Sequence, residues 1–465
     1  MGLRAAGVRG LKECCRKIIV DGKTIYRNNQ QREVNQTMDQ RQKKVVDCID
    51  EDFIVKFAME LTDAYSPTGQ EKPASELVYK KMMSMGLKAR LQEMSDTRAN
   101  ALGEFVGTGG GYTLMFNGHM DISYTEREIY VPGGHHTTFK QSTGSTGFSR
   151  DPSRVEGRWI IGNGIRNMKS AMAAYLGAVN AIQKAQIPLK GDILIAAVAG
   201  EIEKARIDDF QGSWLDGYGS GSQYLVTHGG IADMAVIGEP SFLRICRGNM
   251  GSVWAKIGIR GDYVLTAMCD QVINPIYRME AVIEALKNWI PDYQGRYTYL
   301  GKKPQVNISA IQGGWPWRLS RTPGYCYLYL DIRIIPGQHP ITVKEELSKI
   351  MEKVRANDPT IDIDFEILVT DPATAIPEDE PIVGFVKKAH TEVFGKPPEE
   401  YFNVAVSDAI HLNRYGIPSL TYGPAGRAYP GSADFSYGSQ NIDDLIQCAK
   451  VYVLTALDVC SRDKE

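Results

Sequence analysis

Three apolar runs in this chain each stop at a residue able to hold a cation or move a proton: residues 114–121 (LMFNGHMD), 193–203 (ILIAAVAGEIE) and 234–239 (MAVIGE). Such runs read as strands buried on both faces, the pattern of a parallel sheet covered by helices. In an open sheet of that kind the ligand crevice lies beyond the carboxyl ends of the strands, so a polar residue just past each run points into it. His119, Glu201 and Glu239 all take that place. One such residue carries little weight, because loops after strands are polar anyway. His, Glu and Glu together favour a divalent-metal centre.

At 465 residues the chain is too long for one typical core and suits two domains. Its 53 Lys and Arg balance 55 Asp and Glu, so no overall field draws it to nucleic acid or to an anionic membrane, and the expected partner is a small molecule. No apolar run approaches the roughly 18 residues of a membrane span, and no signal-peptide pattern is present, so the expected location is the cytoplasm. The eight cysteines lack CxxC spacing and read as reduced thiols. Residues 1–37 hold eight Lys or Arg against three acids and no sustained apolar period, so they read as a disordered or artefactual tail before Met38.

From Gln40 the spacing of Ile49, Phe53, Ile54, Phe57, Ala58 and Leu61 predicts a leading helix, and a second is expected over 76–85. GTGGG at 107–111 lacks the Gly-Lys-Ser/Thr of a phosphate cradle and reads as a turn. Residues 125–159 form a polar stretch with His135 and His136, expected as a functional or surface loop with solvent-exposed histidines. Met168, Met172, Tyr175, Leu176, Val179 and Ile182 predict an amphipathic helix over 167–184 whose amino end faces the crevice. Asn167 there is either an N-cap or a metal or substrate contact.

The motifs NGHMD (117–121), GNGIRNMKSAMAA (162–174), GDILIAAVAGEIE (191–203), IGEPS (237–241), YLDIRIIPG (329–337), SDAIHL (407–412) and GIPSLTYGPAG (416–426) occur in this order. In them the chain resembles the zinc or cobalt aminoacyl hydrolases, the family of acetylornithine deacetylase, succinyl-diaminopimelate desuccinylase, aminoacylase and carboxypeptidase G. The resemblance implies an α/β catalytic domain, a mostly parallel twisted sheet flanked by helices, over 38–245 and 356–465. A smaller α+β dimerisation domain at 246–355 interrupts it, with strands expected at 257–260, 306–311 and 325–335 and helices at 278–289 and 343–354. A homodimer follows from the same resemblance.

Carried over position by position, the resemblance makes His119 a metal ligand, Asp121 the carboxylate that orients its imidazole, Glu201 the general base and Glu239 a metal ligand. The chain also departs from the pattern. The bridging aspartate is Asn167, able to ligate only through a neutral amide; the second of two adjacent glutamates is Ile202; and the late histidine is missing, with Asp434 or a neighbour at its place. His119, Asn167 and Glu239 belong to one of the family's two sites, while the losses empty the other. Two cations roughly 3.5–4 Å apart need bridging negative charge, so a single divalent ion is expected, zinc or manganese with cobalt as a further option. Glu203 is a rival for the role of base or ligand. The relatives' interfacial histidine also has no counterpart between His228 and His339, leaving Tyr263, Thr266 or Asn274 as possible donors. Arg333 reads as an ion-pair partner or a substrate-carboxylate ligand, and His411 as a packing or capping residue.

Three functions are compatible with these residues. The first is hydrolysis of the C–N bond of an N-acyl amino acid, short peptide or similar amide, with Glu201 as base. The second is deamination of a small, possibly aromatic, amine, as in the branch resembling 5-nitroanthranilic acid aminohydrolase. The third is binding without catalysis.

Overall fold

The computed structural model describes residues 15–20, 23–28, 38–122, 151–424, 427, 429–430 and 438–464. Within the amino-terminal segment, Cys15–Val20 and Lys23–Asn28 pair as an antiparallel hairpin. The predicted leading helix is two helices, α1 (Gln40–Asp47) and α2 (Glu51–Asp63), because the Asp50 side chain accepts the Phe53 N–H and restarts the coil. Helix α3 follows at Lys72–Ser84.

The strands, in chain order, are β1 (Lys88–Ser95), β2 (Arg98–Phe105), β3 (Leu114–His119), β4 (Ile193–Val198), β5 (Met234–Ile237), β6 (Ile245–Asn249), β7 (Gly251–Arg260), β8 (Gln305–Gly313), β9 (Tyr325–Ile334), β10 (Asp362–Asp371), β11 (Thr374–Ala375), β12 (Glu400–Asn403) and β13 (Ser419–Thr421). The large sheet runs β11-β6-β13-β5-β3-β4-β2-β1, with β12 beside β6. Its centre is parallel: β5, β3 and β4 lie side by side pointing the same way, and β13 joins β5 parallel. Every residue of β3, β4 and β5 is buried. Helices α4 (Ser170–Ala185) and, on the same side, the last long helix (Ile442–Cys460) cover one face, while Leu225, Val226 and Leu412 pack on the other. A central strand pressed from both sides has no reason to alternate, and its sequence does not.

The small domain is an antiparallel sheet of order β8-β9-β7-β10. Strand β9 alternates buried and half-buried residues, since helices cover one side of this sheet. Met279, Val282 and Leu286 pack there from helix Pro275–Arg296, and Val343, Leu347 and Met351 from helix Pro340–Asn357. The expected boundary at residue 355 moves outward, because β10 pairs with β7 along its length and completes this sheet. Among the described residues no helix is long and apolar enough to cross a membrane. Cys48, Cys246, Cys269, Cys326, Cys448 and Cys460 are free thiols.

Candidate active site

The order β5-β3-β4 puts three strand ends next to one another. His119 is the last residue of β3, Glu201 lies three residues past Val198 at the end of β4, and Glu239 lies two past Ile237 at the end of β5. One ligating atom from each falls within 4.8 Å of the others. His119 Nε2 faces three oxygens: Asn167 Oδ1 at 3.2 Å, Glu239 Oε1 at 3.4 Å and Glu201 Oε2 at 3.7 Å. A single imidazole nitrogen can satisfy at most one of them, and Glu239 Oε1 is buried without a hydrogen-bond partner. An imidazole nitrogen facing amide and carboxylate oxygens in a buried cluster is a donor set that a divalent cation would satisfy at once.

The other side of the imidazole is fixed. His119 Nδ1 lies 3.0 Å from the Asp121 carbonyl oxygen and 3.3 Å from its Oδ1. With a proton on Nδ1 directed at Asp121, Nε2 is left to ligate. Asp121 is itself held by the Thr68 hydroxyl (2.8 Å) and by the N–H groups of Glu201 (3.0 Å) and Ile202 (3.3 Å). Burial opposes its ionisation, yet His119 and these donors outweigh it and hold the Asp121 carboxyl well below the usual range. Glu201 goes the other way: burial, reinforced by the Glu239 carboxylate, raises it well above an ordinary glutamate. Burial alone would lower His119, but Glu201, Asp121 and Glu239 together raise it. The cluster therefore sets up a negative potential that selects for a cation at Nε2.

Helix α4 begins at Ser170 with Lys169 at its N-cap position, so Asn167, two residues before that cap and with non-helical backbone (φ −120°, ψ 94°), is not the N-cap. Its amide oxygen instead points at His119. Ile202 lines the cavity and brings no ligating atom. Glu203, the rival for base or ligand, turns away from the cluster into a bidentate ion pair with Arg333, which also holds Asp331. His411 Nε2 sits 2.9 Å from the Tyr218 carbonyl on helix Ala409–Arg414, a packing arrangement. Among the candidate donors of the small domain, Asn274 caps a helix through the Ile276 N–H and Thr266 donates to the Leu319 carbonyl. Tyr263 packs edge-on against Trp315. His135, His136 and Asp434 lie outside the described residues.

A cavity of about 620 Å³ opens over Asn167, Glu201 and Glu239 and reaches Lys302 of the small domain and Tyr401 and Asn403 of β12. Sequence reasoning missed Lys302, Tyr401 and Thr68. Thr68 alone carried a signal, as part of the turn at 66–69 that closes α2.

Residues 247–359 match the family model of the peptidase dimerisation domain. The chain carries a peptidase dimerisation domain. Over 393 residues it is 23% identical to N-formyl-4-amino-5-aminomethyl-2-methylpyrimidine deformylase of Bacillus subtilis (strain 168), covering 79% of this chain and 84% of that one. It is likewise 23% identical over 327 residues to succinyl-diaminopimelate desuccinylase of Magnetococcus marinus, covering 69% and 79%. The latter is one of the names to which the motifs pointed. Among solved structures, aminopeptidase PepT of Bacillus cereus superposes with a TM-score of 0.65 at 16% identity, over 89% of this chain and 99% of the other, a likeness of fold.

Proposed function

We propose that this protein is a metal-dependent hydrolase that cleaves the C–N bond of a small amide, an N-acyl amino acid or short peptide, in the cavity above β3, β4 and β5. The observation that carries the reading is the convergence on His119 Nε2 of the Asn167, Glu201 and Glu239 oxygens, one of them buried and unpartnered. The relatives named deformylase and desuccinylase support the same class of reaction.

His119, Asn167 and Glu239 would hold one cation, zinc or manganese, with Asp121 locking the ring of His119. A bound divalent ion supplies Lewis acidity toward the scissile carbonyl and lowers the pKa of a water in its reach. Glu201 accepts that water's proton and returns it to the leaving nitrogen, a contribution of about 10²–10⁴ in rate. Burial, which raises its proton affinity above that of an ordinary glutamate, favours its taking up that proton. Among the described residues a second cation finds no ligand set of its own, since Ile202 offers no donor and Asn167 no bridging charge. The dimerisation domain supports a homodimer.

Elemental analysis of the purified protein should find about one zinc or manganese per chain, given three ligands and a single site. His119→Ala should remove it. Glu201→Gln should keep the metal while turnover of an N-acyl amino acid falls by about 10²-fold or more. A metal-free wild type without turnover would turn the reading toward a binding protein, and ammonia as product would turn it toward deamination.

A further inference from the structure

The connection that follows β4 carries Glu201 at its start and is tied to the small domain at two acids. Glu203 grips Arg333 of β9 with both oxygens, each N···O distance 2.6 Å. Five residues on, Asp208 accepts from Lys256 Nζ of β7 and from the Tyr329 hydroxyl of β9, both at 2.6 Å. From the catalytic side, Asp121 holds the N–H groups of Glu201 and Ile202. Glu203 Oε1 also accepts the Val406 N–H at 3.2 Å, and Val406 lines the same cavity as Glu201.

We infer that Glu203 is a positioning residue: its ion pair with Arg333 couples the orientation of the small domain to the placement of the Glu201 carboxylate. The inference rests on the hydrolase reading for its effect on turnover. Two residues of chain span at most about 7 Å, so little slack separates the base from the ion pair. A rotation of the small domain that carries Arg333 away must either break the pair or draw the connection after it. The planar guanidinium meets a carboxylate two-pronged in one relative orientation, so the pair responds to direction as well as distance. Both side chains are largely withdrawn from water, 17% and 29% exposed, which limits screening.

The test uses the metal-loaded full chain with Glu203→Arg, Arg333→Glu, the double charge reversal and the milder Glu203→Gln. Amide hydrogen exchange over 199–216 is read beside steady-state kinetics on an N-acetyl amino acid. Each single reversal should speed exchange in that segment by about tenfold. It should lower kcat by about 10–100-fold, the size expected when a catalytic group is misplaced by about 1 Å, with KM nearly unchanged. The double reversal should recover part of both, because Asp331 then faces a carboxylate at position 333, and Glu203→Gln should fall between the wild type and the single reversals. Unchanged exchange in the single reversals, or no recovery in the double, overturns the coupling. Absence of turnover in the wild type sinks the hydrolase reading instead, and the exchange measurements then still decide the coupling.

Discussion

His390 shows how burial sets a group's behaviour. It is 5% exposed, stacks on Phe394 and has Nδ1 2.7 Å from the Tyr422 hydroxyl. Burial, with Lys396 nearby, lowers it from 6.5 to about 4. The unfolded chain therefore takes up a proton near pH 6.5 that the folded chain refuses until about pH 4, so stability falls as pH drops through that window. The limiting slope is about 1.4 kcal/mol per pH unit for one proton. Urea unfolding of the wild type and His390→Gln between pH 7 and 4 should show a shallower decline in the variant; parallel curves would mean that His390 titrates alike in both states. His119 shows the opposite balance, since its three acidic neighbours outweigh a deeper burial.

Two glycines on helices separate packing from propensity. Gly177 lies in α4 where α2 crosses it, and a Cβ there would meet Ile54 Cγ1 at 2.4 Å. Gly177→Ala gains up to about 1 kcal/mol of helix propensity but incurs about 1–3 kcal/mol of overpacking, so a net loss is expected. Gly384, on the exposed side of helix Pro381–Phe394, has nothing within 4 Å of its would-be Cβ. There Gly384→Ala should stabilise by about 0.5–1 kcal/mol. Thermal or urea unfolding of the two variants should move in opposite directions, and a stabilised Gly177→Ala would show that α2 and α4 are free to separate.

At the scale of the molecule, the small domain leaves β8 as an open edge among the described residues, with Ile311 55% exposed and Trp317 75% and Leu319 80% exposed just beyond it. Unpaired backbone flanked by apolar side chains is a surface that a second strand covers. Sedimentation of the purified protein should give twice the 51.6 kDa of one chain. Ile311→Lys, which places a charge on that edge, should shift the equilibrium toward the monomer by about tenfold or more. A wild-type monomer at micromolar concentration would leave the edge without this role.

Local pattern was enough to place the strand ends: continuous apolar runs meant buried strands, period-3.6 runs meant helices, and a polar residue after each run meant a crevice lined by His119, Glu201 and Glu239, whereas the insertion of a second domain followed from the family resemblance. Those inferences depend on neighbours in the chain, which the sequence prints. Residue 167 is ambiguous in sequence because a cap and a ligand look alike until the helix start is known, and the start at Ser170, with Lys169 in the cap position, decides against the cap. Arg333 and Glu203 stand 130 positions apart, and their meeting depends on how one domain lies against another. So does the presence of Lys302 and Tyr401 around one cavity. Residue order along the chain determined the strand ends where the chemistry gathers; only tertiary packing, by closing distances that sequence spacing does not encode, decided which distant charges neutralise one another and which remain turned toward a ligand.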